Sequence, residues 1–306
     1  MGKRGGRLLV IAAVAAGGPA CSTIGPGAGD DDDDSQVDAA AGQPDGESPL
    51  GRFAEPRVIE ALSDPDANDD DPTVTGDLLE LFFNSNRTGN SQLFVSRRDS
   101  VDLPWGGPQP IPELNSDDNE TAPEVSADGL AIYFSSNRPG GKGGQDIYIA
   151  RRDSRDADWD PPDLVPELNS TTADYSPVED DSGLVVYFHS NRDGGDQDLF
   201  VATRLSRDDP WRAPMPIEEL TTEGQDADPF VTGDGLTLYF GTGPPDMLDI
   251  QVAPRRDRDA AFDPAEPVGE LNSDAHDTDP WLSPEGRYLV LMSERSGEPE
   301  IYETER

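Results

Sequence analysis

The chain predicts an all-β, ring-shaped fold on three observations. An aromatic residue is followed nine positions later by a leucine five times: Phe53/Leu62, Trp105/Leu114, Trp159/Leu168, Trp211/Leu220 and Phe262/Leu271. The pair recurs about every 52 residues, the spacing of one supersecondary unit used repeatedly. Helical periodicity is absent from that region, and its longest apolar runs, 130–134 and 184–188, are too short for a core helix and suit buried strands. The two ends are also complementary. Residues 300–304 read as a third strand with nothing after it, and 52–62 as a fourth strand with nothing before it. Pairing them removes both edges and predicts a five-bladed β-propeller of four-stranded antiparallel blades.

Three segments precede or make up that ring. Residues 1–20 begin with Lys3, Arg4 and Arg7, run through a short apolar stretch at 8–16, and end in small residues. The stretch is too short to span a membrane, so it reads as a secretory signal peptide. Cys21, the only cysteine, stands just after Gly18-Pro19-Ala20, as does the lipid-modified cysteine of a bacterial lipoprotein. With no second cysteine, no internal disulfide is available. Residues 21–50 then form an acidic tether carrying Asp30 to Asp34, glycines and prolines, a composition that buries no core. The propeller occupies 51–306, in units of about 53–104, 105–158, 159–210, 211–261 and 262–306.

Within a unit the order of elements is legible. A proline follows the leucine by nine residues at Pro123, Pro177, Pro229 and Pro280, and by ten at Pro72. Six residues later stands Gly129, Gly183, Gly235 or Gly286, whose tolerance of positive φ suits a tight turn. In the second unit, strands are expected at 123–126, 130–135 and 146–150, with a glycine-rich loop at 139–144. A fourth strand at 162–168 carries prolines near its ends, which suits an outer edge.

These motifs resemble the PD40 repeats of the WD40-like β-propellers related to TolB. The residues that carry the resemblance are the Ser126-Ala127-Asp128-Gly129 turn, the run from Tyr133 to Arg138, and the Asp146-Ile147-Tyr148 strand start. The resemblance covers 53–306 and implies the propeller fold. It implies little about activity, because one fold hosts many.

Formal charge is −40, with 63 acidic residues against 23 basic. Such a field repels nucleic acid and favours cations and basic partners. In a four-stranded antiparallel blade, the loop entering the first strand and the loop joining second to third open on the same face. That face is expected to carry a ring of carboxylates (Asp69, Glu120, Asp174, Asp226, Asp277) and guanidiniums (Arg87, Arg138, Arg192, Arg295). The arginines read as structural clamps, since a planar fork of donors fixes adjoining carboxylates. The fourth unit lacks its arginine. Asp226, Asp228 and Asp249 are therefore expected to have fewer partners there, with His276 and Asp277 nearby and Asp174 on the same rim. A divalent cation such as calcium is a candidate ligand of that mouth, and no metal-ligating histidine or cysteine pattern is present.

His189 replaces a repeated serine and reads as a rim or packing residue. No Gly-x-Ser-x-Gly or His-Glu-x-x-His motif occurs. The expectation is a non-enzymatic, monomeric envelope lipoprotein, held at the outer membrane by its lipid alone, that binds a protein or peptide at the channel mouth. The alternative is a secreted glycoside hydrolase or carbohydrate-binding protein, for which two placed carboxylates suffice.

Overall fold

A computed structural model describes residues 51–306, so the leader, Cys21 and the tether lie outside the described residues. β1 (Arg57–Val58) is followed by five blades. The first holds β2 (Asp69–Val74), β3 (Glu80–Ser85), β4 (Gln92–Arg97) and β5 (Gln109–Pro110), and the second β6 (Glu120–Val125), β7 (Ala131–Ser136), β8 (Asp146–Arg151) and β9 (Asp163–Leu164). The third holds β10 (Asp174–Glu179), β11 (Val185–Ser190), β12 (Asp198–Thr203) and β13 (Met215–Pro216). The fourth holds β14 (Gln225–Val231), β15 (Thr237–Gly243), β16 (Asp249–Pro254) and β17 (Glu266–Pro267). The fifth holds β18 (Asp277–Leu282), β19 (Tyr288–Ser293) and β20 (Glu300–Glu305), and β1 completes it as the outer strand, pairing Arg57 with Glu303 and Val58 with Tyr302. The described residues contain no helix.

The middle strands are apolar and wholly buried, as at Leu81 to Phe83, Val186 to Phe188 and Leu289 to Leu291. Outer strands are only two residues long, which leaves little backbone for edge-to-edge pairing. The fourth strand expected at 162–168 is only Asp163–Leu164, after which the chain leaves the sheet and turns back through a Leu168 N–H to Val165 O bond. First strands begin three residues before their prolines, four in the fourth blade, where the sequence suggested a start at the proline. Each takes a register shift just before its proline, for example between Thr121 and Glu124. Proline offers no N–H to the ladder, so the bulge places the break where a donor is missing anyway.

A second arginine ring seals the blades on the face opposite the mouth. Arg98, Arg152, Arg204 and Arg255 each stack on the aromatic seven residues ahead, Trp105, Trp159, Trp211 and Phe262, at 4.1 to 4.5 Å from the ring centre. Arg306 completes the set on Phe53 at 4.2 Å, across the ring closure. Each Nε also donates to the carbonyl of its own blade's first turn, at Leu78, Gly129, Gly183, Gly235 and Gly286. Contacts then cross to the preceding blade: Arg152 reaches Glu80, Arg255 the Tyr187 hydroxyl, and Trp105 Nε1 the Tyr288 hydroxyl. The repeated aromatics are thus seated between blades. In the first blade, where no glycine stands at the repeat's turn position, Leu78 there adopts φ 63°.

Candidate functional site

The mouth-side clamps recur in four blades. Arg138 donates to Glu120 at 3.0 Å and Arg295 to Asp277 at 2.7 Å, while Arg87 and Arg192 hold Asp69 and Asp174 in the same way. Each guanidinium also donates to the carbonyl of the repeat leucine: Leu62, Leu114, Leu168 and Leu271. Asp174 and Asp277 are therefore fully buried members of clamps. In the fourth blade two threonines stand in for the arginine. Asp226 accepts from Thr242 Oγ1 at 2.6 Å, Thr222 Oγ1 at 3.1 Å and Thr222 N at 2.7 Å, and is itself fully buried. Burial raises its proton affinity, as it does that of Asp249, to which the Asp277 charge adds. Of the rim residues singled out in this blade, Asp249 alone is exposed.

Asp228 belongs to a different group, on the propeller axis. The residue before each proline, Asp71, Ala122, Ser176, Asp228 and Asp279, has φ between 49° and 52°. For residues other than glycine this left-handed conformation costs about 1–3 kcal/mol each and concentrates at functional sites. With the prolines that follow, the five line a cavity floored by Val178, Phe230, Trp281 and Glu124. Its water-accessible space is about 40 Å³, room for about three water molecules.

Two carboxylates of this lining, those of Asp71 and Asp279, converge with that of Asp70. Oxygens of Asp70, Asp71 and Asp279 lie within 4.8 Å of one another. Burial first, and then the charges of the neighbouring aspartates, push all three above the usual carboxylate range. Asp228 completes the group, accepting from Ser176 Oγ at 2.9 Å and Thr278 Oγ1 at 2.8 Å. Glu124 lies in a weakly polar part of the lining, with Thr73 as its polar neighbour, and burial raises it to about 8.

Both histidines border this cluster. His189, buried and stacked on Tyr175, accepts the Asp228 N–H at its Nδ1. That nitrogen is consequently unprotonated, and its 3.5 Å approach to Asp228 Oδ1 is not an ion pair. Burial lowers its proton affinity in the same sense. His276 accepts the Leu248 N–H through Nδ1 and lies near enough to act electrostatically on Asp70.

Asp228 and His276 thus lie by Asp70, whereas Asp174, Asp226 and Asp277 are held apart in the clamps of three different blades and Asp249 is exposed beside Asp277. Asp70, Asp71, Asp279 and Glu124 are absent from the sequence-derived set. Their signal is the position immediately around the repeated proline, acidic in three blades and Ala122 or Ser176 in the other two. These positions differ from blade to blade, unlike the clamp residues, which recur in four of the five.

No protein-family model and no curated protein matches the chain. Solved structures do. An endo-arabinase from Bacteroides thetaiotaomicron aligns with TM-score 0.58 and 18% identity, over 83% of this chain and 97% of that one. A putative TolB from Agrobacterium tumefaciens aligns at TM-score 0.49 and 19% identity, over 79% of each chain. TolB from Acinetobacter baumannii aligns at TM-score 0.47 and 16% identity, over 77% of this chain, which spans 53% of that protein's length. At these identities the likeness is one of fold. It places a glycosidase and TolB proteins alike among the structural neighbours.

Proposed function

We propose that this propeller is a non-enzymatic binding module that takes a basic segment of a protein or peptide partner at its acidic mouth. The observation that carries the reading is the convergence of Asp70, Asp71 and Asp279 beside a cavity of about 40 Å³ that Asp71, Asp228 and Asp279 line. Acceptor-only groups held this close repel one another, and an ammonium, a guanidinium or a bridging divalent cation relieves that repulsion. The mouth face supplies no competing charge of its own. Its described cations are Arg87, Arg138, Arg192 and Arg295, all clamped, and Lys142, whose ammonium is engaged by the Pro166 and Asn169 carbonyls. In this reading the leader exports the chain, a lipid on Cys21 anchors it at the outer membrane, and the tether gives the ring reach.

Binding of a lysine- and arginine-rich peptide tests the proposal against an acidic peptide of equal length. Micromolar affinity for the basic peptide, lost in Asp279→Asn and in half-molar salt, is expected. Equal binding by the Asn variant removes the channel from the account. A photoreactive residue at exposed Asp249, with Ala127 on the opposite face as control, then identifies the partner in cells. Radiolabelled palmitate incorporation, abolished by Cys21→Ser, checks the anchor.

One observation favours the glycoside hydrolase reading. Burial lifts Glu124 to about 8, which suits the general acid of glycoside hydrolysis, and the carboxylates of Asp71, Asp228 and Asp279 line the same cavity. The cavity is far below the roughly 300 Å³ of ordinary ligand pockets, which weighs against a sugar ring in it. Release of reducing sugar from arabinan, abolished by Glu124→Gln, would establish that alternative and displace the binding reading.

A further inference from the structure

Each junction between blades repeats a polar device at the mouth rim, and one junction lacks a donor. Between the first and second blades, Gln92 opens β4 and sends Nε2 into a cage of oxygens. It lies 3.3 Å from Ser91 O, 3.1 Å from Ser116 O, 3.0 Å from Asp118 O and 3.0 Å from Glu120 Oε2. The residue that opens the third strand is acidic in every other blade: Asp146, Asp198, Asp249 and Glu300. Each stands opposite the clamp carboxylate of the next blade. The Asp198 charge acts on Asp226, and that of Asp277 on Asp249.

Three of these acids are accommodated. Asp198 is half-buried and Asp249 exposed, so water solvates both, while Glu300 receives the hydroxyls of Ser63 and Ser296. Asp146 is different, being 1% exposed. Its Oδ2 accepts the Lys142 and Gly143 N–H groups at 2.8 and 3.1 Å, but its Oδ1 is buried with no donor. Gln145 Oε1, next to it in sequence, is also buried without a donor. The Thr172 carbonyl lies against the loop that wraps this carboxylate, 2.0 Å from where a Gly143 Cβ would stand. Residues 170, 172 and 174 follow Leu168 by the same steps as Ser116, Asp118 and Glu120 follow Leu114.

We propose that a calcium-class cation bridges the second and third blades here, held by Asp146 Oδ1 and oxygens of the 170–174 turn, beside the Lys142 ammonium that takes the Asn169 carbonyl. It occupies the place that Gln92 Nε2 takes one junction earlier. A buried carboxylate oxygen without a donor is costly, and hard cations collect carboxylate and backbone carbonyl oxygens in this way. The site is separate from the channel acids and does not rest on the binding reading.

Thermal unfolding and calcium titration calorimetry on the full chain, after dialysis against a chelator, test it. Asp279→Asn serves as background to weaken any channel site. In that background calcium at hundredfold excess over Kd should raise Tm by about 5 °C. Asp146→Gln, which restores an amide donor to the cage, should lose the response and unfold without calcium no lower than its parent. Should that variant misfold, the isosteric Asp146→Asn should unfold cooperatively and show the same loss. A full calcium response in either variant overturns the proposal. So does no response in the parent up to millimolar calcium, which would assign the position to a buried water.

Discussion

Asp174 shows what a single residue contributes at the mouth. Its carboxylate is fully buried, and Arg192, Ser190 and the Ser170 N–H share its two oxygens. Arg192→Ala leaves that charge and the Leu168 carbonyl short of donors, so a loss of about 3–5 kcal/mol in urea unfolding is expected. The fourth blade tolerates the same deletion naturally because Thr222 and Thr242 provide neutral donors. Asp279 should behave in the opposite way. Replacing it by asparagine removes one of three mutually repelling carboxylates, so Tm should rise while affinity for a basic peptide falls. A purely structural role predicts destabilisation instead, and differential scanning calorimetry separates the two.

The element that closes the ring is β1, two residues long and paired to β20. So short a ladder cannot hold the closure by itself. Phe53, buried beneath Arg306, and Leu62, fully buried, add the packing that does. Phe53→Ala should cost about 3–5 kcal/mol, comparable to Trp159→Ala, since the two are equivalent positions of one repeat. A much smaller loss for Phe53, measured by urea unfolding, would mean that the closure is not equivalent to the internal junctions. The bulges in the first strands are the other element-scale device. They turn the residue before each proline towards the axis, so five ordinary strand positions become the channel wall.

Stability of the whole ring should depend on pH through the channel. Glu124 binds its proton more tightly folded than unfolded, with its value raised from 4.5 to about 8, and Asp70, Asp71 and Asp279 are shifted in the same direction. Their contribution is therefore full below the unfolded values and is lost as pH rises through the folded ones. Urea unfolding should show stability falling between about pH 4.5 and 8, by a few kcal/mol at most, and Glu124→Gln should flatten much of that slope. Stability that rises over this interval would contradict the assignment.

The sequence by itself determined the all-β class, the five units, the complementary ends and the clamp arginines, because each is a local pattern repeated at a fixed period. The arginine-on-aromatic seal was half legible, since Arg152 and Trp159 recur at constant spacing while their contact with Glu80 crosses to another blade. Only the tertiary structure decided which acids form a site. Asp71 and Asp279 are about 200 residues apart in the chain, and ring closure alone brings them together. Likewise, Asp146 and Asp249 look interchangeable in sequence, yet one is buried with an unpartnered oxygen and the other is exposed. Burial and convergence are properties of the closed ring, and no single repeat encodes them.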